Sequence, residues 1–206
     1  MKPTRIPLFP LNVVLLPGMA LPLHIFEPRY KAMIARCISE SIEFGLVLVL
    51  ENNLAQVGCT AEIVQKLKEY PDGRMDIMTE GRSVFELNEL IQEKEYYEAS
   101  VRYLADNPEP AVSGKEAALM QAFRQVHSIL TGQDWDAARS DPEIPLAYRM
   151  GARLPLELAE RQQLLQMRSE SDRQEFLLNW MTEFLPRLRH RQRVRERARG
   201  NGHGLN

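Results

Sequence analysis

The sequence has few of the residues that metal sites and disulfide-linked folds require. Two cysteines and four histidines occur among 206 residues. Cys37 and Cys59 are too few for a disulfide framework or a cysteine-based metal site, so we expect both to be free, buried thiols. The histidines have no spacing that would bring two of them onto one metal: His24, His127, His190 and His203. We therefore expect neither a metal site nor another bound cofactor.

A long uninterrupted hydrophobic run is also missing. The most apolar stretch, residues 7–30, is broken by five prolines: Pro7, Pro10, Pro17, Pro22 and Pro28. A membrane-spanning helix needs about 20 consecutive apolar residues, and interior prolines break helices. Lys2 and Arg5 give a basic start, but no continuous apolar stretch or cleavage site of a secretory signal follows them. We expect no membrane association and a cytoplasmic location.

The usual catalytic motifs are absent as well. No Gly-x-Ser-x-Gly motif of a serine hydrolase occurs. Ser113-Gly114-Lys115 resembles the end of a phosphate-binding loop, but the earlier glycine is missing and Glu116 replaces the magnesium-binding hydroxyl residue. The acidic stretch from Glu93 to Glu98 reads as a charged turn with solvated carboxylates. The residues therefore indicate a binding protein rather than an enzyme.

Short strands dominate the first half of the chain. Apolar runs predict buried strands at residues 11–16 and 44–50, and Tyr70-Pro71-Asp72-Gly73 predicts a hairpin turn. Gly81 is expected to interrupt the chain between two later strands. Between the first strands, apolar residues at helical spacing follow Pro28, which suits the first turn of a helix. Six or seven strands with one inserted helix predict an α+β fold built on a small β-barrel.

The second half is predicted to be helical. The polar, proline-containing segment 105–110 separates two parts, which we place at residues 1–106 and 112–190, with a flexible basic tail over 191–206. Ser113 and Glu116 have the spacing of a capping box. The last helix is expected to begin near Ser171, and Pro186 is expected to kink or end it. One apolar stripe marks this helix: Phe176, Leu177, Trp180, Phe184 and Leu188.

Charge is unevenly distributed along the chain. The net charge is −2, and the segment from Arg187 to Arg199 carries seven arginines and one glutamate. That segment therefore contributes +6 and leaves −8 for the rest. Its first five arginines form a candidate electrostatic contact for acidic partners: Arg187, Arg189, Arg191, Arg193 and Arg195. A solvated helix end is the commoner role of such a segment.

A set of motifs in order along the chain resembles the amino-terminal substrate-binding domain of Lon proteases. The motifs are Pro7-Leu8-Phe9-Pro10-Leu11, Val14-Leu15-Leu16-Pro17-Gly18-Met19, Leu21-Pro22-Leu23, Ile25-Phe26-Glu27, Arg29-Tyr30, Phe44-Gly45-Leu46-Val47-Leu48, Gly58-Cys59-Thr60-Ala61, Asp72-Gly73-Arg74 and Leu154-Pro155. The resemblance covers residues 7 to about 188. It implies a PUA-like β-barrel followed by an α-helical bundle.

The resemblance also implies a function. A complete Lon protease adds an ATPase module and a protease module with a serine and lysine dyad, and neither matches this sequence. We therefore expect a non-catalytic protein that binds unfolded or exposed apolar polypeptide segments, within a proteolytic or chaperone system. The expected contact consists of Leu16, Met19, Leu21 and Leu23. The alternative is an RNA-binding PUA-like protein that uses the arginine-rich segment, although the acidic charge of the remaining chain argues against it.

Overall fold

A computed structural model describes residues 2–51, 53–108, 115–135 and 141–200. Within these residues the strands are β1 (Arg5–Leu11), β2 (Ala20–Ile25), β3 (Phe44–Leu50), β4 (Asn53–Leu54), β5 (Val57–Glu69), β6 (Met75–Ile91) and β7 (Tyr97–Tyr103). The helices are α1 (Pro28–Glu40), α2 (Lys115–Thr131), α3 (Leu146–Gly151), α4 (Leu158–Gln166) and α5 (Glu170–Gly200). No helix among the described residues is both long and apolar enough to span a membrane.

Five strands close into a ring. Their order is β1-β7-β6-β5-β3, and parallel pairing of β1 with β3 brings the two ends together. The short β4 pairs with the end of β3, and β2 pairs with the first six residues of β6, Met75 to Glu80. We call the closed set of five strands the strand ring; it occupies the part of the chain where a barrel is expected.

The first strand lies earlier in the chain than predicted. We expected residues 11–16, but β1 spans Arg5–Leu11 and includes two prolines. Pro7 lies where β1 pairs with β7 alone, and Pro10 lies where it pairs with β3 alone. Each proline therefore lies where β1 pairs with one strand only, so its missing N–H need not remove a hydrogen bond between strands.

A tight contact explains a second departure from the predicted strands. Gly81 does not interrupt the sheet, because β6 runs through it from Met75 to Ile91. Its N–H donates to the carbonyl of Met19 at 3.0 Å, and its carbonyl accepts from the N–H of Gly18 at 2.8 Å. A Cβ at this position would collide with the carbonyl oxygen of Leu16. Glycine is required here so that the turn at residues 16–19 can rest on the strand.

Helix α1 covers the outer extension of the sheet. Pro28 occupies its first turn as predicted, and Ser41 ends it in the left-handed conformation at φ 52°. Its buried face consists of Tyr30, Met33, Ile34 and Cys37. These side chains join one large hydrophobic cluster with residues of β2 and β6 such as Ile25 and Ile77.

The helical part packs against the strand ring through the same cluster, which includes Phe44 of the ring and Leu177 of α5. The predicted cap at Ser113 lies outside the described residues. At the start of α5 the capping side chain is Ser169, whose hydroxyl accepts the N–H of Asp172 at 3.0 Å. Pro186 does not end α5, which continues to Gly200.

A fully buried arginine ties the end of the strand part to the helices. The guanidinium of Arg173 donates to both carboxylate oxygens of Asp106 and forms a 2.9 Å salt bridge with Glu170. It also lies 4.3 Å from the ring centroid of Tyr148. Because Asp106 follows β7 and Arg173 lies in α5, this network fixes the two parts relative to each other.

Candidate polypeptide-binding surfaces

The four residues of the predicted contact point toward the core. Leu16 is completely buried beneath the turn that rests on Gly81. It offers no surface to a partner, so its predicted exposure is wrong. Met19, Leu21 and Leu23 are half-buried and pack against the main hydrophobic cluster. The contribution of these three to binding stays a prediction.

The opposite face of β2 is exposed and partly aromatic. His24 pairs with Asp76, with 2.5 Å between Nδ1 and Oδ1. Its ring lies 5.9 Å from the rings of Phe26 and Tyr70. Phe26 has 58% of its surface exposed, the largest fraction among the described large apolar residues. In the sequence, Phe26 stands out only as part of the Ile25-Phe26-Glu27 motif, and no local pattern shows that its side chain is exposed.

The largest cavity that we describe lies between three helices of the helical part. It has a volume of about 590 Å³, and we call it the α5 groove. Its lining consists of Ile129, Leu130, Pro155, Glu157, Glu160, Trp180, Phe184, Arg187, Leu188, Arg191 and Gln192. The rings of Trp180 and Phe184 stack with 4.5 Å between their centroids. Leu188 continues this stripe one turn later, so α5 presents an apolar wall.

Charges of both signs flank the apolar wall. Arg187 and Arg191 lie one helical turn apart on α5, and Glu157 and Glu160 stand at the start of α4. The Glu160 carboxylate accepts the backbone N–H of Glu157 at 2.8 Å as part of a capping box. An apolar wall with acidic and basic groups beside it suits a polypeptide of mixed sequence better than a ligand of one charge sign.

The predicted electrostatic contact is divided among several environments. Arg187 and Arg191 line the α5 groove. Arg189 instead donates to the side-chain oxygen of Gln125 on α2 at 2.8 Å, and Arg193 Nε donates to the carbonyl of Arg189 at 3.5 Å. Arg195 belongs to the helical backbone of α5. A common role for the five arginines stays a prediction.

A second groove separates the end of α1 from β5. It has a volume of about 380 Å³, and we call it the α1–β5 groove. Its lining consists of Cys37, Ile38, Ser41, Ile42, Glu43, Glu62, Ile63, Val64, Gln65 and Lys66. Burial raises the pKa of the Cys37 thiol to about 12. The thiol therefore stays protonated at neutral pH and contributes apolar surface rather than a nucleophile.

Glu98 is buried rather than solvated as predicted. Its carboxylate accepts from Arg5 at 2.6 Å, Arg36 at 2.8 Å and Lys94 at 2.9 Å. Burial alone would raise the pKa of Glu98, but the hydrogen bonds from these three cations outweigh it and hold the pKa at about 2. A fully paired, ionised carboxylate of this kind stabilises the fold and is not poised for acid–base catalysis.

The two free thiols match the sequence expectation. Cys37 and Cys59 are both buried and unpaired. Across the described ranges, no group of three or more His, Cys, Asp or Glu side chains could hold a metal ion.

Comparison with known proteins identifies the family. The family model of the ATP-dependent protease La (LON) substrate-binding domain matches residues 5–183. This chain belongs to the Lon substrate-binding domain family. The Lon protease of Escherichia coli K12 is 27% identical over 95% of this chain, and that of Erwinia amylovora is 28% identical over 95%. The chain spans about 27% of the length of both relatives.

Solved structures of Lon N-terminal domains have the same fold. A Lon N-terminal domain protein from Xanthomonas campestris superposes with a TM-score of 0.67 at 27% identity, covering 86% of this chain and 99% of that one. The N-terminal domain of Lon protease from the Mycobacterium avium complex gives a TM-score of 0.65 at 19% identity, with 86% and 98% coverage. The predicted resemblance is thereby confirmed.

Proposed function

We propose that this protein is a non-catalytic polypeptide-binding protein and that the α5 groove receives apolar segments of its partners. The observation that carries the proposal is the half-buried apolar wall of Trp180, Phe184 and Leu188, which lines an open groove within a member of a substrate-binding family. The family match over residues 5–183 is to the substrate-binding domain, and the proposed role of this region is binding without catalysis.

The binding mechanism follows from the composition of the groove. Apolar side chains of a partner would displace water from Trp180 and Phe184, and large rigid aromatics lose little side-chain entropy on binding. Such anchors typically contribute about 2 kcal/mol or more each when a partner buries them. Arg187, Arg191, Glu157 and Glu160 would orient the segment by pairing with its charged residues, and they favour partners whose charges complement the two walls.

We further propose that residues 1–106 form a PUA-like barrel subdomain, built on the strand ring with α1, and that residues 112–190 form a separate α-helical subdomain. The closure of β1 on β3 supports the first point. The proposed setting is the cytoplasm, beside a proteolytic or chaperone system that processes the bound polypeptide.

Fluorescence anisotropy of a labelled, permanently unfolded polypeptide tests the proposal. Leu130 lines the α5 groove with 41% of its surface exposed, so Leu130→Lys places a charge there without disturbing the core. Leu50→Lys is the matched control, because Leu50 is similarly exposed at the end of β3, outside the groove. We expect about tenfold weaker binding for Leu130→Lys and unchanged binding for Leu50→Lys. Equal affinities for both variants would reject the α5 groove.

The RNA-binding alternative makes a different prediction. Binding through phosphates and arginines weakens steeply with salt, whereas apolar binding does not. We expect polypeptide affinity to change little between low and moderate salt. RNA binding that is lost in a combined Arg187→Gln and Arg191→Gln variant, with no polypeptide binding by the unmodified protein, would favour the alternative.

A further inference from the structure

One edge of β5 has no strand beside it. At Cys59 and Ala61, β5 pairs with β3 on one side and with β6 on the other, and Thr60 between them pairs with β3. From Glu62 to Glu69 its strand partner is β6 alone. Among the described residues, no other backbone hydrogen bond reaches this stretch. The backbone groups that point away from β6 are therefore available to a partner.

The free edge borders the α1–β5 groove. Beyond Ala61, the position beside β5 that β3 would occupy is open, because the chain before Phe44 turns away into α1. The groove fills this space, and its walls carry Ile38 and Val64, with 39% and 44% of their surfaces exposed. An added strand would continue the line of β3 and place alternate side chains into the groove.

The edge also shows features that limit uncontrolled pairing. Register shifts between Ile63 and Gln65 and between Lys66 and Lys68 interrupt the ladder with β6. Such bulges twist a free edge and, with the charged residues of β5, disfavour pairing with a second copy of the same edge. A short partner segment can still pair with this edge, because it needs only a few backbone hydrogen bonds beside the groove.

The charges favour one kind of segment. Glu43 lines the groove and has no salt-bridge partner within the described part of the chain, and Glu62 lines it while bound to Arg82. Lys66 also lines the groove and is paired with Glu69 at 2.6 Å. Among the described residues, Glu43 is therefore the lining charge without a salt bridge, and it favours basic side chains in a bound segment over acidic ones.

We propose that the free edge of β5 binds an extended apolar polypeptide segment with basic flanking residues by β-strand addition, with its side chains in the α1–β5 groove. The segment gains backbone hydrogen bonds from β5, so recognition depends on an extended backbone more than on a particular sequence. This inference rests on the proposed polypeptide-binding function but assigns a separate surface and a separate mode of recognition.

A pair of labelled peptides provides the test. The first is an apolar peptide of about eight residues with lysines at its ends, matching the free stretch of β5 in length. The second has the same sequence with N-methyl groups on alternate residues, which removes the backbone donors along one edge. Both are titrated by anisotropy into the unmodified protein and the variants Val64→Lys, Leu130→Lys and Leu90→Lys. Leu90 is exposed on β6 away from the groove and serves as the control.

The reference is the affinity of the first peptide for the unmodified protein. The proposal predicts at least about tenfold weaker binding when the N-methylated peptide is used with the unmodified protein, and when the first peptide is used with Val64→Lys. In Leu130→Lys and Leu90→Lys, the preference for the first peptide over the N-methylated peptide should remain. Equal binding of both peptides, with loss in Leu130→Lys alone, would overturn strand addition and leave the α5 groove in place. A dimer of the unmodified protein that dissociates in Val64→Lys would show that a second copy occupies the edge and would also overturn it. Absence of binding by both the peptides and an unfolded polypeptide would reject the proposed function itself.

Discussion

The strand ring and the helical part differ in how completely their buried polar groups are paired. In the ring, the carboxylate of Glu98 is surrounded by three cations. In the helical part, buried side-chain atoms without a hydrogen-bond partner recur among the described residues: Trp135 Nε1, Arg149 Nε, Arg161 Nε, Gln162 Oε1 and Arg168 Nη1. Each such atom costs about 1–3 kcal/mol. Among the described residues, the buried atoms without a partner therefore lie in the helical part, which also carries the α5 groove.

The Arg173 network is the exception within the helical part, and its removal should have the largest effect. Arg173→Met leaves Asp106 and Glu170 without their buried partner, and we expect a loss of about 4 kcal/mol in the free energy of unfolding. Urea denaturation measures it. Arg193→Met, at an exposed site of α5, is the control and should change stability by less than about 0.5 kcal/mol. Similar stability of the two variants would contradict the role assigned to this network.

A glycine pair tests how tightly the ring is packed. Gly81→Ala should cost about 3 kcal/mol, because the added Cβ meets the carbonyl of Leu16 and the turn must move. Gly73→Ala is the matched control at the exposed hairpin turn. It has room for a Cβ but a φ of +80°, so its cost should be about 1 kcal/mol. Equal thermal denaturation midpoints for both variants would mean that the contact at Gly81 is not tight.

The paired carboxylate of the ring predicts a specific pH dependence. The folded pKa of Glu98 is about 2, below its ordinary value of 4.5. Its stabilising contribution is therefore complete above pH 4.5 and is lost as pH falls toward 2. Glu98→Gln should cost about 2 kcal/mol at pH 7 and show a smaller decline in stability across that range. Glu93→Gln, at an exposed partner of Arg5, is the control. A Glu98→Gln variant as acid-sensitive as the unmodified protein would refute this assignment.

The smallest effect is expected in the helical part. Trp135→Phe removes a buried N–H that has no hydrogen-bond partner among the described residues, and this gain offsets part of the lost packing. We expect a change of about 1 kcal/mol or less in the free energy of unfolding. A loss as large as that of Gly81→Ala would show that Trp135 is as well accommodated as the residues of the ring, and the contrast between the two regions would fail.

Local patterns predicted much of the fold. The turn at residues 70–73, the helix after Pro28 and the change from strands to helices all followed from spacing and turn chemistry. The position of β1 did not, because its prolines are tolerated only through the pairing of distant strands. The role of Gly81 was equally hidden, since the Leu16 carbonyl that requires a glycine lies far away in the chain.

The candidate surfaces were predictable only in part. The stripe of Trp180, Phe184 and Leu188 was visible as an apolar helix face, but its neighbours from α2 and α4 come together only in the tertiary structure. Leu16 looked available because its hydrophobicity is evident in the sequence, whereas its burial depends on a contact with β6. The free edge of β5 depends on where β3 stops pairing, which no local pattern shows.

The most direct test of the α5 groove uses the two tryptophans of the chain, Trp135 and Trp180. In Trp135→Phe, Trp180 is the single tryptophan, so the tryptophan emission reports on the environment of the α5 groove. Titration with an unfolded, tryptophan-free polypeptide should shift Trp180 emission to shorter wavelength with the same affinity that anisotropy gives, because an apolar partner displaces water from the ring. Polypeptide binding by anisotropy with no change in Trp180 emission would contradict the account and place the contact elsewhere.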